Sequence, residues 1–334
     1  ILLLPAALPK PFTMAFSTAV NQAKRNINIT NNTTLHIYWF RHDDLRLHDN
    51  PALLHTINSL GKPHHLFLPV FFFDPRFVGN NNPTAFETSK CGPRRAKFLI
   101  ESVANLRENM LKLGSGLVVS LGKPEDFFES LRCRDDMAIQ VTCQEEVSSE
   151  EIQVVKSVDE ILQKRGLHSS VTQIWGSTLY NRQQLPFDGG AKGMPDSFTP
   201  FRNKVEKHCA IDKPFPPPSK AQLRSTVTDI ESFTDCKNCS LTYLPTMEDL
   251  GYSADMIEQD DQGVMVFSGG ESAALARVQE YIWDKDLLKL YFDTRNGMLG
   301  PDYSTKLSPW LAHGCLSPRY IAEQCHKYET QRIA

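Results

Sequence analysis

Hydroxyl groups, glycines and cations surround a short apolar stretch at residues 291–319, which read YFDTRNGMLGPDYSTKLSPWLAHGCLSPR. Ser304, Thr305 and Ser308 can donate hydrogen bonds at the start of a helix, and a lysine at 306 adds a positive charge. Such donors and a cation suit the phosphates of a dinucleotide cofactor. In a simpler interpretation, the hydroxyls cap a helix and the lysine is a solvated charge.

The cysteines Cys236 and Cys239 have the C-x-x-C spacing that occurs in zinc sites. A tetrahedral zinc site needs two further ligands, and the sequence contains no second C-x-x-C and no H-x-x-x-H. We therefore predict no metal site and interpret the pair as part of a loop. Eight cysteines without an evident disulfide framework, in a chain too large to need one, indicate a reducing compartment.

The signatures of several common enzyme classes are missing from the sequence. No G-x-G-x-x-G follows the first apolar run, and the stretch from Gly116 to Pro124 has one residue too many for a Walker loop. The histidines His42, His48 and His55 lie near aspartates, but no G-x-S-x-G accompanies them. A simple dehydrogenase, a P-loop NTPase and a serine hydrolase are therefore disfavoured.

Size and charge set broad limits on the function. The 334 residues, 41% of them hydrophobic, are enough for two packed domains. A net charge of -3 gives no support for nucleic-acid binding, so any DNA contact would need a local patch. The first residues, ILLLPAALPKPFT, are too short and too interrupted by proline to span a bilayer. The acid-free stretch between Met14 and His42 is faintly similar to an organelle transit peptide, but we favour a disordered tail and a cytoplasmic or nuclear protein, with an organelle as the alternative.

Apolar runs alternate with helical patterns from residue 35 onward. Strands are predicted for LHIYWF at 35–40, LFLPVFFF at 66–73, LVVS at 117–120, MAIQVT at 137–142 and VTQI at 171–174. Helices are predicted after the cap Asn50-Pro51, along Phe98 to Leu113, and after a capping box of Ser148 and Glu151, with Ile152, Val155, Val158 and Ile161 on the apolar face of the last. This alternation indicates an α/β fold with a doubly wound, mostly parallel sheet.

The pattern changes twice further along the chain. Residues 181–265 are rich in proline and polar side chains with weak periodicity, which indicates a long connector. Helical spacing returns after Gly270 and predicts the beginning of a helical domain. We therefore divide the chain into a leader or disordered segment at 1–34, an α/β domain at 35–180, the connector at 181–265 and a helical part at 266–334.

The strand at 35–40 leads into WFRHDDLRLHDNPALL, which resembles the opening of photolyase-like α/β domains. Further similarity is carried by DPRF at 74, FLIESVANLRENMLKLGSGLVV at 98, GKPEDF at 122, WGSTLY at 175, GGESAAL at 269 and TRNGMLGPDYSTKLSPWLAHGCLSPRYI at 294. Together these motifs resemble the cryptochrome DASH subfamily of the DNA photolyase/cryptochrome family. The resemblance implies an antenna-type α/β domain, a connector, and the start of an all-helical FAD-binding domain, as in an N-terminal fragment.

The resemblance implies a blue-light-dependent flavoprotein of the deoxyribodipyrimidine photolyase type, a C–C lyase. Such a protein repairs cyclobutane pyrimidine dimers in single-stranded or looped DNA by electron transfer from photoexcited, reduced FAD. The alternative is a blue-light photoreceptor that signals through its flavin redox state without repair. We expect a monomer with damaged single-stranded DNA as its partner. By resemblance, the FAD contacts are Tyr291, Ser304, Thr305, Lys306, Leu307 and Ser308.

The second cofactor that the resemblance implies is the light-harvesting folate 5,10-methenyltetrahydrofolate. Its pterin ring has an amide-like donor edge, which an ionised carboxylate can accept. Glu146, with Glu145 before it, stands where the family's folate-binding carboxylate lies. The competing role is stabilisation of the following helix dipole, which Glu150 and Glu151 already fit. The two roles are evenly matched for Glu145, and folate binding is favoured for Glu146.

Two polar residues near the flavin run are candidates for contacts with DNA. Arg295 and Asn296 could bind the DNA around the lesion, with local capping as an equal alternative.

The arginines expected to be structural are Arg41, Arg46, Arg94 and Arg95. One extra residue at His42-Asp43 is expected to bulge from a surface loop, and His313 replaces a usual apolar residue. The four tryptophans do not match the family's electron-transfer chain, so we expect the catalytic residues beyond Ala334 and weak FAD binding by this chain alone.

Overall fold

The computed structural model describes residues 33–333, except for 62–63, 82–83, 85–86, 133–136, 168–169, 189–192, 224–226, 228, 254–255, 257–264 and 298–299. The leader predicted at 1–34 lies outside this range apart from its last two residues. Among the residues that the structure describes, every helix is too short or too polar to span a bilayer.

A six-stranded sheet forms the centre of the α/β part. Its strands are Thr34–Phe40 (β1), His65–Phe73 (β2), Val118–Leu121 (β3), Ala138–Gln144 (β4), Val171–Ile174 (β5) and Cys239–Ser240 (β6). Their order is β5-β4-β1-β2-β3-β6; the first five are parallel and β6 runs antiparallel to β3. The five predicted strands and the mostly parallel sheet are confirmed.

The central strands are apolar on both faces because helices cover both sides of the sheet. Alternation along β1 sends Tyr38 and Phe40 into one core, and Leu35, Ile37 and Trp39 into the other. The first core is covered by Pro51–Asn58 (α1) and Pro93–Lys112 (α2), and the second by Pro124–Glu129 (α3) and Ser149–Lys164 (α4). The doubly wound arrangement follows from these two cores.

Two of the predicted helix features hold and one does not. The Asn50 side chain caps α1 by accepting a hydrogen bond from the Leu53 N–H at 3.0 Å. The apolar spacing predicted for 98–113 faces the first core along α2. The capping box of α4 is wrong: Ser148 is the N-cap but makes no side-chain cap bond, and Ile152 is exposed. The buried face of α4 is shifted to Val154, Val155, Val158 and Leu162.

The segment at 181–265 packs against the sheet through short elements, namely a 3₁₀ turn at Arg182–Gln184, the helix Phe198–His208 (α5) and strand β6. The buried guanidinium of Arg107 in α2 donates to the backbone oxygens of Thr242 at 2.9 Å and Tyr243 at 2.6 Å. Val227 and Phe233 enter the second core. The segment therefore shields the β3 edge of the sheet.

The described elements after Gly270 are helical. They are Glu271–Gln279 (α6), which continues into a π-helical turn at Glu280–Asp284, a 3₁₀ turn at Leu287–Leu290, Tyr291–Thr294 (α7), Ser308–Ala312 (α8), Pro318–Tyr328 (α9) and a π-helical turn at Glu329–Ile333. Ala274, Val278 and Tyr281 join the first core. The domain boundaries given above stay predictions.

Buried polar contacts join the helical part to the loop that follows β1, residues 41–50. The Asp49 carboxylate accepts from Arg319 Nε at 2.9 Å and Nη2 at 2.7 Å, and also from the Ser317 hydroxyl. Glu271 Oε1 accepts from the N–H groups of Leu47 and His48 at 3.0 and 2.9 Å. These contacts connect residues more than 220 positions apart.

Candidate functional site

A cavity of about 380 Å³ lies beyond the carboxyl ends of β1, β2 and β4. At this edge the chain winds in one direction from β1 through β2 to β3, and β4 and β5 lie on the other side of β1. Such reversal points leave a crevice that binds ligands in doubly wound folds. The cavity is lined by Trp39, Arg41, His42, Asp43, Phe72, Asp74, Phe77, Lys90, Arg95, Pro124, Glu146, Glu150, Glu151, Val154 and Ala312.

Arg41 and Glu146 place a guanidinium and a carboxyl group side by side on the wall of the cavity. The guanidinium lies over the Trp39 ring, 4.3 Å from its centroid, and its Nε is 3.7 Å from Glu146 Oε1. Burial, and next the neighbouring carboxylate of Asp43, raise the pKa of Glu146 to about 9. The Glu146 carboxyl is therefore protonated at neutral pH before any ligand arrives.

Three side chains on the cavity wall carry buried polar atoms without hydrogen-bond partners among the described residues. They are Arg41 Nη1, Asp43 Oδ1 and Glu151 Oε2. Because a buried unpaired polar atom costs about 1–3 kcal/mol, such atoms indicate a place that a polar ligand would satisfy. One donor and two carboxyl oxygens suit a heterocycle that bears both N–H and carbonyl groups.

Glu145 and Glu146 point in different directions. Glu145 forms an ion pair with Arg182, Oε1 to Nη2 at 2.8 Å, and does not line the cavity. Glu146 lines it with its side chain only 14% exposed. The folate assignment stays a prediction for both, and only Glu146 reaches this site.

The extra residue at His42-Asp43 belongs to the cavity wall, so the expected surface bulge is wrong. The His42 ring packs on Phe71 and Phe77, and burial lowers its pKa to about 4. The neutral ring therefore donates its Nε2–H to the Phe72 oxygen at 3.3 Å. The loop is fixed from behind by Gly314, where an added Cβ would stand only 1.6 Å from the Asp43 oxygen.

His313 is buried against the same loop. Its backbone oxygen accepts from the Leu45 N–H at 3.3 Å, and its ring centroid lies 5.4 Å from that of Phe98. Burial lowers the pKa of His313 to about 4, so the ring is neutral at pH 7. Its Nδ1 has no partner among the described residues.

The loop at 303–308 presents free donors. No hydrogen-bond partner for the hydroxyls of Ser304, Thr305 and Ser308 is found within the described part of the chain. Lys306 has φ +59° and Leu307 is right-handed, φ -82° and ψ -8°. Successive residues of opposite hand direct their N–H groups toward one point, which is an arrangement that binds anions.

Buried Arg277 of α6 holds this loop in place. Its Nη2 donates to the Pro301 oxygen at 2.6 Å and its Nε donates to the Thr305 oxygen at 3.2 Å. A third bond, from Nη1 to Glu280 Oε2 at 2.8 Å, fixes the guanidinium at the start of the π-helical turn. The loop is therefore preorganised by a residue that the sequence motif itself does not include.

The remaining predicted contacts are exposed. Tyr291 begins α7 and is 38% exposed, and its backbone oxygen accepts from the Arg295 N–H at 2.9 Å. Arg295 lies over the Phe292 ring, and Asn296 follows it on the surface. The structure brings Ser304 to Ser308 together in one loop and leaves Arg295 and Asn296 open to solvent.

The sequence interpretation missed Arg41, Asp43 and Arg95 as cavity residues. Arg41 and Asp43 follow directly after β1, the central strand of a doubly wound sheet, and that position alone could have identified them. Arg46, by contrast, is structural as expected: its guanidinium donates to the oxygens of Asp49, Gly176 and Gly314.

A family model described as DNA photolyase matches residues 36–219, more than half of the chain. The chain belongs to the DNA photolyase family. It is 41% identical over 298 residues to the cryptochrome DASH, chloroplastic/mitochondrial, of Arabidopsis thaliana, covering 89% of this chain and 48% of that protein. It is also 41% identical over 297 residues to the cryptochrome DASH of Gloeobacter violaceus, covering 89% and 54%.

Among solved structures, the Synechocystis sp. PCC6803 cryptochrome matches this photolyase-family chain with a TM-score of 0.74 at 34% identity, covering 91% of this chain and 58% of that one. These matches confirm the resemblance to cryptochrome DASH and the α/β fold followed by helices. The chain spans about half the length of the curated relatives it matches.

Proposed function

We propose that this chain belongs to a blue-light-dependent flavoprotein that repairs cyclobutane pyrimidine dimers in single-stranded or looped DNA. The observation that carries the proposal is the loop at 303–308, whose free hydroxyl and N–H groups coincide with the family motif. One-electron transfer from photoexcited, fully reduced FAD to the dimer is the chemistry that the cofactor supplies when bound.

The residues present fit the phosphate and adenosine portion of FAD. Ser304, Thr305 and Ser308 supply hydroxyl donors, and Lys306 supplies a cation and a positive φ at the point where N–H groups converge. Leu307 is buried and fixes the loop to the first core. Tyr291 offers a half-exposed ring and hydroxyl on the same helical part.

The cavity beyond the sheet is proposed as the site of the antenna cofactor, 5,10-methenyltetrahydrofolate. Glu146, Asp43 and Arg41 are the groups that would orient the pterin ring, since all three line the cavity and Asp43 and Arg41 each have a polar atom there without a partner among the described residues. Trp39 and Phe72 provide aromatic walls for a flat heterocycle. Glu145 takes no part in this cavity and instead fixes Arg182.

Arg295 and Asn296 are proposed to contact the DNA around the lesion. Both are exposed, next to the flavin loop, so they are free to approach a phosphate or a base edge. The bulk charge of -3 means that such a local contact has to supply the attraction. We propose a monomer inside the cell, in the cytoplasm or nucleus or in an organelle as the names of plant relatives suggest.

The test is repair of ultraviolet-irradiated single-stranded oligothymidine by the full-length protein containing this chain, with FAD bound and reduced. Blue light should remove dimers, and the same mixture kept in the dark should retain them. If FAD changes redox state in light while the dimers persist, the protein is a photoreceptor and the repair proposal is refuted. A double-stranded substrate repaired equally well would refute the strand preference.

A further inference from the structure

Two thiols lie together in the turn that leads into β6. The turn is closed by a hydrogen bond from the Cys239 N–H to the Cys236 oxygen at 3.4 Å. Cys239 pairs with Ser120 in the sheet, and the Cys236 sulfur lies 4.0 Å from the Ser120 hydroxyl. Both cysteines are half-buried, so solvent and small molecules can reach them.

The backbone of this turn is anchored on three sides. The Leu121 N–H donates to the Asn238 oxygen at 3.2 Å, which ties the turn to β3. The Cys236 N–H donates to the Thr234 hydroxyl at 3.1 Å, and the Asp235 N–H donates to the Ser130 oxygen at 3.1 Å. The two thiols are therefore held near each other by the fold, independently of any bond between them.

The two thiols have unequal acidity. The pKa of Cys236 is lowered to about 6, first because the Cys239 thiol donates a hydrogen bond to it and then because the Asn238 N–H does so. The same interaction raises the pKa of Cys239. The lowered pKa favours the thiolate of Cys236, the nucleophilic form of cysteine, at neutral pH.

Four cysteines elsewhere in the described part of the chain differ from this pair in the direction of their pKa shift. Burial raises the pKa of Cys143 to about 12 and that of Cys315 to about 11. Burial also raises the pKa of Cys91 and of Cys325. Only the pair in the β6 turn combines a partner thiol, exposure and a lowered pKa among these residues.

We propose that Cys236 and Cys239 form a redox-active dithiol that undergoes thiol–disulfide exchange with a low-molecular-weight disulfide. The Cys236 thiolate attacks one sulfur of the external disulfide, whose S–S bond breaks and releases one thiolate. Cys239 then loses its proton to that thiolate and attacks the Cys236 sulfur, which releases the second external sulfur as a thiolate that takes a proton from solvent. In sum, two protein thiols are oxidised to a Cys236–Cys239 disulfide and one external disulfide is reduced to two thiols.

The dithiol is chemically separate from the flavin loop and from the cavity. It lies at β6, which pairs with β3, within the 181–265 segment that covers this edge of the sheet. Oxidation would form the Cys236–Cys239 disulfide within a turn whose hydrogen bonds already hold the two thiols near each other. The proposal therefore stands whether or not the repair function is correct.

The test is incubation of the chain with oxidised glutathione at pH 7, followed by alkylation and peptide mass mapping. The wild type should gain a Cys236–Cys239 disulfide, two mass units lighter than the dithiol peptide, and dithiothreitol should reverse it. Cys239→Ala should stop at a glutathione adduct on Cys236, since the resolving thiol is gone. Cys236→Ala should form neither product at this turn.

A second measurement separates reactivity from mere proximity. The pH dependence of iodoacetamide alkylation at Cys236 should have its midpoint near 6 in the wild type. In Cys239→Ala the midpoint should rise by at least one pH unit toward the ordinary cysteine value of about 8.5, because the hydrogen-bond donor is lost. A wild-type midpoint of 8 or higher, or glutathione adducts confined to other cysteines, would overturn the proposal.

Discussion

Replacing Arg319 by alanine should destabilise the protein by about 3 kcal/mol, because it leaves a buried carboxylate without its countercharge. The Asp49 side chain is fully buried and that of Arg319 is 9% exposed, with two parallel hydrogen bonds of 2.7 and 2.9 Å between them. Removing one partner of a buried pair typically costs about 3–5 kcal/mol. The lower end applies here, since the Phe215 N–H and the Ser317 hydroxyl still donate to Asp49.

The assay is urea unfolding followed by tryptophan fluorescence, with the free energy taken from linear extrapolation. Arg319→Lys should lose less, because one charged donor remains. Lys327→Ala is the matched control: its ion pair with Glu323 on the same helix is exposed and should contribute about 0.5 kcal/mol or less.

A double mutant isolates the charge effect. Asp49→Asn in the Arg319→Ala background should recover part of the loss, since it removes the unpaired charge and asparagine tolerates the φ of +46° at this position. The reasoning is refuted if Arg319→Ala lowers the free energy of unfolding by less than about 1 kcal/mol, which is in the range of the Lys327→Ala control. It is also refuted if adding Asp49→Asn to Arg319→Ala lowers the free energy of unfolding further.

Three further outcomes are expected. The pKa of His313 is about 4 in the folded protein and about 6.5 in the unfolded protein, so the unfolded state binds one more proton between these two pH values. The free energy of unfolding should therefore fall by up to about 3 kcal/mol as the pH drops from 6.5 to 4. When unfolding is measured against pH, His313→Leu should reduce this slope by the contribution of one proton. Only the ionised Glu146 carboxylate can accept hydrogen bonds with both oxygens from the donor edge of a pterin, so folic acid should bind up to about tenfold more tightly per pH unit between 7 and 9 in fluorescence titrations. Glu146→Gln should abolish this pH dependence and Glu145→Gln should keep it, whereas identical profiles in all three proteins would contradict the site. Arg277→Met removes the hydrogen bonds that hold the loop at 303–308, so it should weaken FAD binding by the full-length protein about tenfold or more. FAD binding is measured by flavin absorbance after gel filtration. Lys285→Met removes an exposed cation nearby and should change FAD binding by no more than about twofold.

The centre of the sheet could be predicted from sequence because β1 and β2 are nearly continuous apolar runs, as parallel strands buried on both faces require. Strand β6 could not, since two residues carry no periodicity and depend on the β3 edge for pairing. The capping box did not form, because the Glu151 side chain that the local pattern assigned to the helix start lines the cavity instead.

Part of the candidate site could be located from sequence. The loop at 303–308 has a local motif, so Ser304 to Ser308 could be grouped from sequence alone, but Arg277 holds that loop from another helix and has no signal in the motif. The cavity brings together loops after three strands, which no single segment reveals. His42-Asp43 looked like a surface insertion because its neighbour in space, Gly314, is 271 positions away from Asp43 in the sequence.

The contact between Asp49 and Arg319 can form only late during translation of the chain. The two residues are 270 positions apart, which corresponds to roughly 15–50 s of translation at about 5–20 residues per second. During that interval the strands at 34–73 can already pair, while the 41–50 loop has neither its arginine nor the Gly314 backbone behind it. The cavity beyond the sheet is therefore completed late in the nascent protein, when the segment that carries Gly314 and Arg319 leaves the ribosome.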